Sequence, residues 1–170
     1  MELIAKAAEF AMTAHAGQVR KYTGEPYFTH VEAVAEQVSE YYAQIGVEAP
    51  EEAIAAALLH DTVEDCPEVT IEQIEDIFGE TVARYVWFLT KPPGFVGNRA
   101  QRKAAYNAYL SVAPFEVKVI KFFDMRHNSG SIEEHDPNFW ETFREETKRM
   151  LVALNVPDLH QMYPDFIHRL

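Results

Sequence analysis

The stretch Leu58–Asp65 reads LLHDTVED and joins the end of an apolar run to a cluster of ionisable side chains. His60 and Asp61 are adjacent, and Glu64 and Asp65 follow one helical turn later. At about 100° per residue, positions 60 and 64 share one helix face, as do positions 61 and 65. Three carboxylates this close repel one another unless a cation or protons offset their charge. The stretch therefore predicts an apolar helix that ends in a metal-binding cluster.

A second His-Asp pair, His135–Asp136, shows that the dipeptide alone is weak support for a metal site. It lies in a polar stretch directly before Pro137, where Asp136 or Asn138 would cap the following helix. The pair at His60–Asp61 differs because it follows an apolar helix and has acidic residues one turn later. We therefore expect a chemical role for the first pair and a structural role for the second.

The rest of the chain is typical of helices joined by short loops. Thr70 and Gln73 have the spacing of a capping box, and Asn98 is placed to cap a further helix. The stretch Phe115–Phe123 (FEVKVIKFF) alternates as a strand would, but the sequence offers no partner strand, so we predict a helix. The predicted fold class is all-α, a compact helical bundle in a single domain over residues 1–170.

Composition limits the classes of protein that fit. Hydrophobic residues make up 48% of the 170 residues, enough for a buried core and too many for wholesale disorder. The single cysteine, Cys66, excludes an intramolecular disulfide and favours a reducing, cytoplasmic compartment. No apolar run approaches the length of a membrane span. The net charge of −12 disfavours nucleic acid as a partner, because duplex binders present a basic face to the phosphates.

The charge is unevenly distributed along the chain. Residues 1–83 sum to −14 and residues 127–170 to −4, whereas residues 84–126 sum to +6. A basic segment in an acidic protein can concentrate a small anionic ligand locally. The alternative is that cations such as those of Arg99–Lys103 form an ordinary solvated helix face.

A metal site at His60–Asp61 needs ligands from elsewhere in the chain. His30 and Asp124 are the candidates, and Asn128 lies one helical turn after Asp124. Two imidazoles and two carboxylates suit a divalent ion with water in the open positions. Taken singly, His30 could be an ordinary hydrogen-bonded histidine, and Asp124 could cap a helix or pair with Lys121.

Several ordered blocks of the sequence resemble the HD phosphohydrolase superfamily and, more closely, its RelA/SpoT-type alarmone hydrolase branch. The blocks are AEFAMTAHAGQVRKYTGEPYFTHVEAVA at Ala8–Ala35, AALLHDTVED at Ala56–Asp65, TIEQIEDIFGETVARYVWFLTK at Thr70–Lys91 and VIKFFDMRHNS at Val119–Ser129. A single block would be a weak match, whereas an ordered set that reaches Ser129 is a strong one.

The resemblance implies a ligand set and catalytic residues. The positions that match the family's metal ligands are His30, His60, Asp61 and Asp124. The usual ion is manganese (Mn²⁺), with another divalent ion as the alternative. The acidic pair Glu64 and Asp65 matches the residues that assist the attacking water in the hydrolase branch.

The resemblance also implies a substrate. The residues that match contacts to the nucleotide are Arg20, Lys21, Asn128 and, more loosely, Arg144. The implied reaction is hydrolysis of the 3′-diphosphate of guanosine tetra- or pentaphosphate, which releases pyrophosphate and lowers the concentration of this stringent-response alarmone. The implied partner is a small guanosine polyphosphate nucleotide, without nucleic acid or membrane. The sequence predicts no particular oligomeric state.

Three features depart from the family pattern. Val31 stands where proline often follows the first ligand, FFDMRHN at Phe122–Asn128 replaces LADRLHN, and Lys148 stands where small hydrolases usually have an aromatic residue. Two alternatives therefore stay open: an HD phosphohydrolase for another nucleotide, either a monophosphate or a phosphorylated dinucleotide, and a non-catalytic nucleotide sensor. The intact ligand set with Glu64 and Asp65 favours an active enzyme.

Overall fold

In the computed structural model, residues 2–92, 94 and 96–170 are described, and they form helices, loops and an isolated antiparallel bridge between Val19 and Pro26. The predicted all-α fold class is confirmed. The chain divides into two compact units, Met1–Lys91 and Pro92–Leu170, and the single domain over residues 1–170 stays a prediction. Among the described residues, no helix has the length and apolar character needed to cross a membrane.

The first unit is built around its third helix. Its helices in the described residues are α1 Glu2–Ala14, α2 Phe28–Gln44, α3 Glu51–Leu59, α4 Thr62–Asp65, α5 Ile71–Phe78 and α6 Glu80–Leu89. α3 packs against α1, α2 and α6, while α5 packs against α6. α3 is therefore packed against several helices, and the residues directly after it, His60 and Asp61, have a defined position.

The side chains of α3 explain why it can be surrounded. Ala53, Ala55, Ala56 and Ala57 are completely buried, and the helix ends with the buried pair Leu58–Leu59. A helix that is apolar on all sides belongs in a core, and small side chains let neighbouring helices approach at close-packed distances. This packing holds His60, the next residue, in the interior of the unit.

The stretch that ends α3 is not one continuous helix. α3 stops at Leu59, and Asp61, at φ −101° and ψ −5°, precedes the single turn α4. Two side chains bond to the last carbonyl groups of α3: Thr62 Oγ1 donates to Leu59 at 2.7 Å, and His60 Nδ1 bonds to Ala57 at 2.8 Å. Such side-chain bonds replace helix hydrogen bonds, which explains why the helix ends here.

The second unit consists of the remaining helices. In the described residues these are α7 Arg99–Ser111, α8 Phe115–His135, α9 Pro137–Leu154, α10 Pro157–Met162 and α11 Pro164–Arg169. α9 packs against both α7 and α8. The helix predicted for Phe115–Phe123 is confirmed as the start of α8. Neighbouring positions such as Val119 and Ile120, or Phe122 and Phe123, are both buried, which a half-exposed strand would not allow.

The predicted helix caps are present. Thr70 and Gln73 form a reciprocal capping box at the start of α5, and Asn98 with Gln101 forms another at the start of α7. At the start of α9, the backbone N–H of Phe139 donates to the Asp136 carboxylate at 3.1 Å. Of the two caps considered for that helix, Asp136 is therefore the one used.

The C-terminal helices cover one side of α8 through aromatic contacts. The ring of Phe122 lies 5.4 Å from that of Phe166 and 5.8 Å from that of Tyr163, measured between centroids. Phe122 is completely buried. Since Asp124 is two residues further along α8, this packing also sets the position of that carboxylate.

We predict that Ala56→Leu destabilises the protein by about 1–3 kcal/mol, because three added carbon atoms have no space inside a close-packed interior. Ala104→Leu is the matched control, since Ala104 is an exposed residue of α7. We expect the control to stay within about 0.5 kcal/mol of the wild type. Urea unfolding followed by circular dichroism measures both, and equal stability of the two variants would contradict the central position of α3.

Candidate functional site

Three of the four predicted ligands lie together in the first unit. His30 comes from the first turn of α2, and His60 and Asp61 directly follow α3. Nε2 of His60 lies 3.2 Å from Asp61 Oδ2, and Nε2 of His30 lies 3.6 Å from the same oxygen. The centroids of the two imidazole rings are 5.2 Å apart, and both rings are buried. The structure thus brings these three side chains into one cluster.

A hydrogen bond decides which nitrogen of His60 carries a proton. Nδ1 lies 2.8 Å from the carbonyl oxygen of Ala57, and because a carbonyl can only accept, Nδ1 is the donor. In the neutral ring, Nε2 then carries the lone pair, and this is the nitrogen that faces Asp61. A carbonyl bonded to the far nitrogen is the arrangement that orients metal-ligating histidines.

The electrostatics of the cluster favour a cation. The lone pair of His60 Nε2 and the Asp61 carboxylate oxygen face each other across 3.2 Å. Two hydrogen-bond acceptors at that distance repel one another unless a proton or a metal ion offsets the repulsion. Imidazole nitrogens and carboxylate oxygens are both ligands of divalent ions. The donor set of His30, His60 and Asp61 could therefore hold a divalent metal ion.

Tyr27, the residue directly before α2, contacts the same cluster. Its hydroxyl donates to Asp61 Oδ2 at 2.7 Å. Its ring stacks on that of His15 with 4.7 Å between centroids and meets the ring of His30 edge-on at 5.8 Å. Burial and the nearby Asp61 carboxylate raise the pKa of Tyr27 far above its ordinary value, so its hydroxyl keeps its proton at neutral pH.

Asp65, one of the two predicted catalytic acids, lies beside this group. Although the residue as a whole is exposed, partial burial of its carboxyl is the main cause of its raised pKa; the negative charge of Asp61 adds to it, and the nearby Tyr27 hydroxyl acts in the opposite direction. The Gln18 side chain donates to the backbone carbonyl of Asp65 at 3.1 Å. A carboxylate with a raised pKa beside metal-ligating groups is suited to accept a proton from water.

Glu64, the other predicted catalytic acid, has a different neighbour. Its carboxylate pairs with the Lys91 ammonium group and accepts the Lys91 backbone N–H at 3.4 Å. Lys91 follows α6, whereas the neighbours of Asp65 belong to the loop before α2 and to the turn after α3. The two adjacent acids therefore have different surroundings, which the sequence alone did not indicate.

The predicted phosphate-binding pair, Arg20 and Lys21, lies in the loop between α1 and α2. The bridge between Val19 and Pro26 closes this loop. The N–H of Gly24 donates to the carbonyl of Arg20 at 3.0 Å. Gly24 has φ +73°, a left-handed conformation that glycine adopts without strain. The loop is therefore a defined turn that presents two adjacent cations.

The two cations of this turn have different contacts. The Arg20 guanidinium lies over the ring of Tyr27, 5.5 Å from its centroid. The Lys21 ammonium donates to the Tyr22 hydroxyl at 3.0 Å and lies over that ring. Through Tyr27, Arg20 is thus placed next to the ligand cluster of the first unit.

Asp124, the fourth predicted ligand, is buried on α8 of the second unit. Lys121 Nζ lies 2.6 Å from Asp124 Oδ2, and Asn128 Nδ2 donates to Asp124 Oδ1 at 2.6 Å. Asp124 and Asn128 are thus in contact, as their spacing predicts, and the pairing with Lys121 that we considered is present. The alternative of a helix cap is wrong, because Asp124 lies inside α8.

Arg144 and Lys148 lie on α9 and pair with acids of the same helix. Arg144 bonds to Glu141 at 2.6 Å, and Lys148 bonds to Glu145 at 2.9 Å. A phosphate bound by either cation would have to replace or share that carboxylate. The pairing with Glu145 does not explain why lysine replaces the usual aromatic residue at position 148.

The cations of Arg99–Lys103 connect two helices. Arg99 bonds to Glu146 of α9 at 2.5 Å, and Lys103 Nζ lies 3.1 Å from the same carboxylate. These pairs hold α7 against α9, so a structural role accounts for this part of the basic segment. The prediction that the segment concentrates an anion stays a prediction.

Tyr27 is a residue of this cluster that the sequence patterns did not reveal. A signal was present, since Tyr27 lies three residues before His30 in the block GEPYFTH, close to one helical turn. Gln18, whose side chain reaches across to α4, was not predicted either. Contacts of this kind join residues that are distant in sequence, and periodicity does not reveal them.

Comparisons with known proteins identify the family of the chain. The HD domain family matches residues 7–108 of the chain. A guanosine-3′,5′-bis(diphosphate) 3′-pyrophosphohydrolase from Aquifex aeolicus is 34% identical over 99% of this chain and 22% of its own length. A protein of the same name from Danio rerio is 32% identical over 84% of this chain and 76% of its own length. The chain spans about a fifth of the length of the longer curated relatives it matches.

A solved structure shares the fold. It is that of a metazoan ortholog of SpoT, a protein that hydrolyses ppGpp and plays a role in starvation responses. The alignment has a TM-score of 0.83 and covers 99% of this chain and 96% of the other, at 22% sequence identity. At that identity, the likeness is evidence for the helical fold and not for a shared substrate.

We predict that His60→Ala weakens the binding of Mn²⁺ by more than about 100-fold. Removing a residue that only orients a metal ligand already costs about 10–100-fold in affinity, and removing a ligand itself should cost more. His135→Ala is the matched control, because His135 also precedes an aspartate but lies at the exposed end of α8. Isothermal titration calorimetry with MnCl₂ measures both. Unchanged binding in His60→Ala, with the fold intact by circular dichroism, would contradict the metal assignment.

Proposed function

The chain belongs to the HD domain family, and we propose that it hydrolyses the 3′-diphosphate of guanosine tetra- or pentaphosphate to GDP or GTP and pyrophosphate. The observation that carries the proposal is the cluster of His30, His60 and Asp61, in which both imidazoles are buried, with the Asp65 carboxyl beside it. The names of the relatives from Aquifex aeolicus and Danio rerio support the choice of substrate.

The proposed site holds a divalent ion, with manganese as the proposed metal. The proposed ligands are His30, His60, Asp61 and Asp124. The buried side chains of His30 and His60 converge on Asp61 Oδ2, whereas Asp124, whose buried carboxylate is held by Lys121 and Asn128, is proposed from the position it matches in the family. When bound, a divalent ion supplies a Lewis acid that offsets phosphate charge and lowers the pKa of a water molecule.

The carboxylates after the ligand pair act on the attacking water. Asp65 accepts the proton of this water, and its raised pKa makes it a better base than an ordinary aspartate. Glu64, whose carboxylate is held by Lys91, orients the same water. Removing the proton as the water attacks the phosphorus atom avoids a positively charged oxygen in the transition state.

Basic and polar side chains bind the nucleotide. Arg20 offers a planar fork of N–H donors to a diphosphate, and Lys21 offers a point charge next to it. Asn128 and Arg144 are the proposed further contacts to the substrate. Arg20 is the best supported of these, because its contact with Tyr27 places it beside the cluster of the first unit.

The deciding experiment is product analysis after incubation of the protein with guanosine tetraphosphate and Mn²⁺. We expect GDP and pyrophosphate in equal amounts, and no orthophosphate. Asp61→Ala should abolish both manganese binding and turnover, because it removes the oxygen on which the cluster converges. Pyrophosphate release that persists in Asp61→Ala would contradict the proposed site.

The variant Asp65→Asn distinguishes the role of a catalytic base from the role of a metal ligand. The amide keeps the size of the side chain but cannot take a proton, so we expect kcat to fall about 10²–10⁴-fold while Mn²⁺ still binds. Steady-state kinetics with guanosine tetraphosphate and calorimetry with MnCl₂ give the two values. Asp76→Asn is the control, because Asp76 is an exposed aspartate of α5. A kcat for Asp65→Asn equal to that of the control would rule out Asp65 as the base.

The same assay distinguishes the two alternatives. Release of orthophosphate from nucleotide monophosphates or phosphorylated dinucleotides, without cleavage of guanosine tetraphosphate, would indicate an HD phosphohydrolase with another substrate. Tight binding of guanosine tetraphosphate without any product would indicate a nucleotide sensor.

A further inference from the structure

We propose that Tyr27 is a positioning residue of this site and that its hydroxyl holds the carboxylate of Asp61 in place. The catalytic part of this proposal rests on the proposed hydrolytic function, whereas its effect on metal affinity does not. Tyr27 itself is assigned neither to the metal nor to the substrate. It acts through Asp61.

The hydroxyl is at the right place to hold Asp61. It donates to Asp61 Oδ2 at 2.7 Å, a short and strong hydrogen bond to a carboxylate. Asp65 lies one turn after Asp61, and its backbone N–H donates to the Asp61 carbonyl at 2.9 Å. The donor therefore fixes the proposed ligand, and the backbone places the proposed base one turn away from it.

The ring of Tyr27 is held on several sides, so the hydroxyl has a defined position. His15 stacks on it at 4.7 Å, His30 meets it edge-on at 5.8 Å, and the Arg20 guanidinium lies 5.5 Å from its centroid. His15 is itself fixed, because its Nδ1 lies 2.8 Å from Gln18 Oε1. The ring thus contacts one proposed metal ligand and one proposed phosphate-binding residue.

The backbone ties Tyr27 to the turn that carries Asp65. The N–H of Tyr27 donates to the carbonyl of Gln18 at 2.9 Å, and the side chain of Gln18 donates to the carbonyl of Asp65 at 3.1 Å. These bonds connect the loop before α2 to α4 independently of the hydroxyl. Removing the hydroxyl alone should therefore leave the loop in place and release only the Asp61 carboxylate.

The competing explanation is that Tyr27 is only a packing residue, since its ring alone fills space between His15 and His30. The two explanations differ in what the oxygen atom does. Tyr27→Phe removes the oxygen and keeps the ring, so it separates them. Tyr85→Phe is the matched control, because Tyr85 is a buried tyrosine of α6 in the same unit.

The first readout is the dissociation constant for Mn²⁺, measured by calorimetry on the full chain without nucleotide. We expect Tyr27→Phe to raise it about 10–100-fold, the loss typical of partners that orient a metal ligand. Tyr85→Phe should match the wild type. Wild-type affinity in Tyr27→Phe would overturn the proposal. Because no nucleotide is present, this result stands even if the wild type fails to cleave guanosine tetraphosphate and the proposed function is wrong.

The second readout is the split between kcat and KM for guanosine tetraphosphate at saturating Mn²⁺. We expect kcat to fall in Tyr27→Phe and KM to stay within about twofold, since binding energy lost only in the transition state lowers kcat. Unchanged kcat, or a change confined to KM, would overturn the catalytic part.

A third measurement covers the case in which Tyr27→Phe loses stability. Mn²⁺ affinity is then measured for Thr29→Val, which removes the side-chain bond of Thr29 to the Pro26 carbonyl in the same loop but leaves the Tyr27 hydroxyl bonded to Asp61. We expect near wild-type Mn²⁺ affinity for Thr29→Val. A loss as large as that of Tyr27→Phe would show that general loosening of the loop, and not the hydroxyl, weakens the site.

Discussion

The site in the first unit depends on one oxygen atom, Oδ2 of Asp61. The Tyr27 hydroxyl approaches it to 2.7 Å, His60 Nε2 to 3.2 Å and His30 Nε2 to 3.6 Å. These groups come from the loop before α2, from α2 itself and from the end of α3. Because α3 is packed among α1, α2 and α6, the core determines where this oxygen lies. The chemistry of the cluster thus rests on the close packing of a helix whose alanines are completely buried.

For ligand binding, the positions of the charged side chains matter more than the net charge of the chain. The net charge of −12 disfavours nucleic acid as a partner, although residues 84–126 carry a net positive charge. The structure shows that several cations of this segment are paired with acids of their own unit. These pairs are Lys91 with Glu64, Lys121 with Asp124, and Arg99 with Glu146. Such pairs are worth little stability when exposed, but they set the orientation of the carboxylates that they hold.

Much of the local structure could be predicted, because the interactions that specify it lie within one helical turn. The capping boxes at Thr70 and Asn98 are of this kind, and so is the Asp136 cap of α9. The break between α3 and α4 was not predicted, since it depends on His60 and Thr62 bonding to the last carbonyl groups of α3. Either side chain could also have pointed elsewhere without changing the apolar pattern.

The sequence by itself determined the helices, their caps and the set of candidate ligands, because these follow from residue type, short-range spacing and ordered blocks that resemble a known family. Only the tertiary structure decided which side chains each functional group contacts. It places Tyr27 against Asp61, 34 positions away, and it gives the adjacent acids Asp65 and Glu64 different neighbours. The physical reason is that contacts over such separations depend on how helices pack around α3, and the pattern of any one helix does not contain that information.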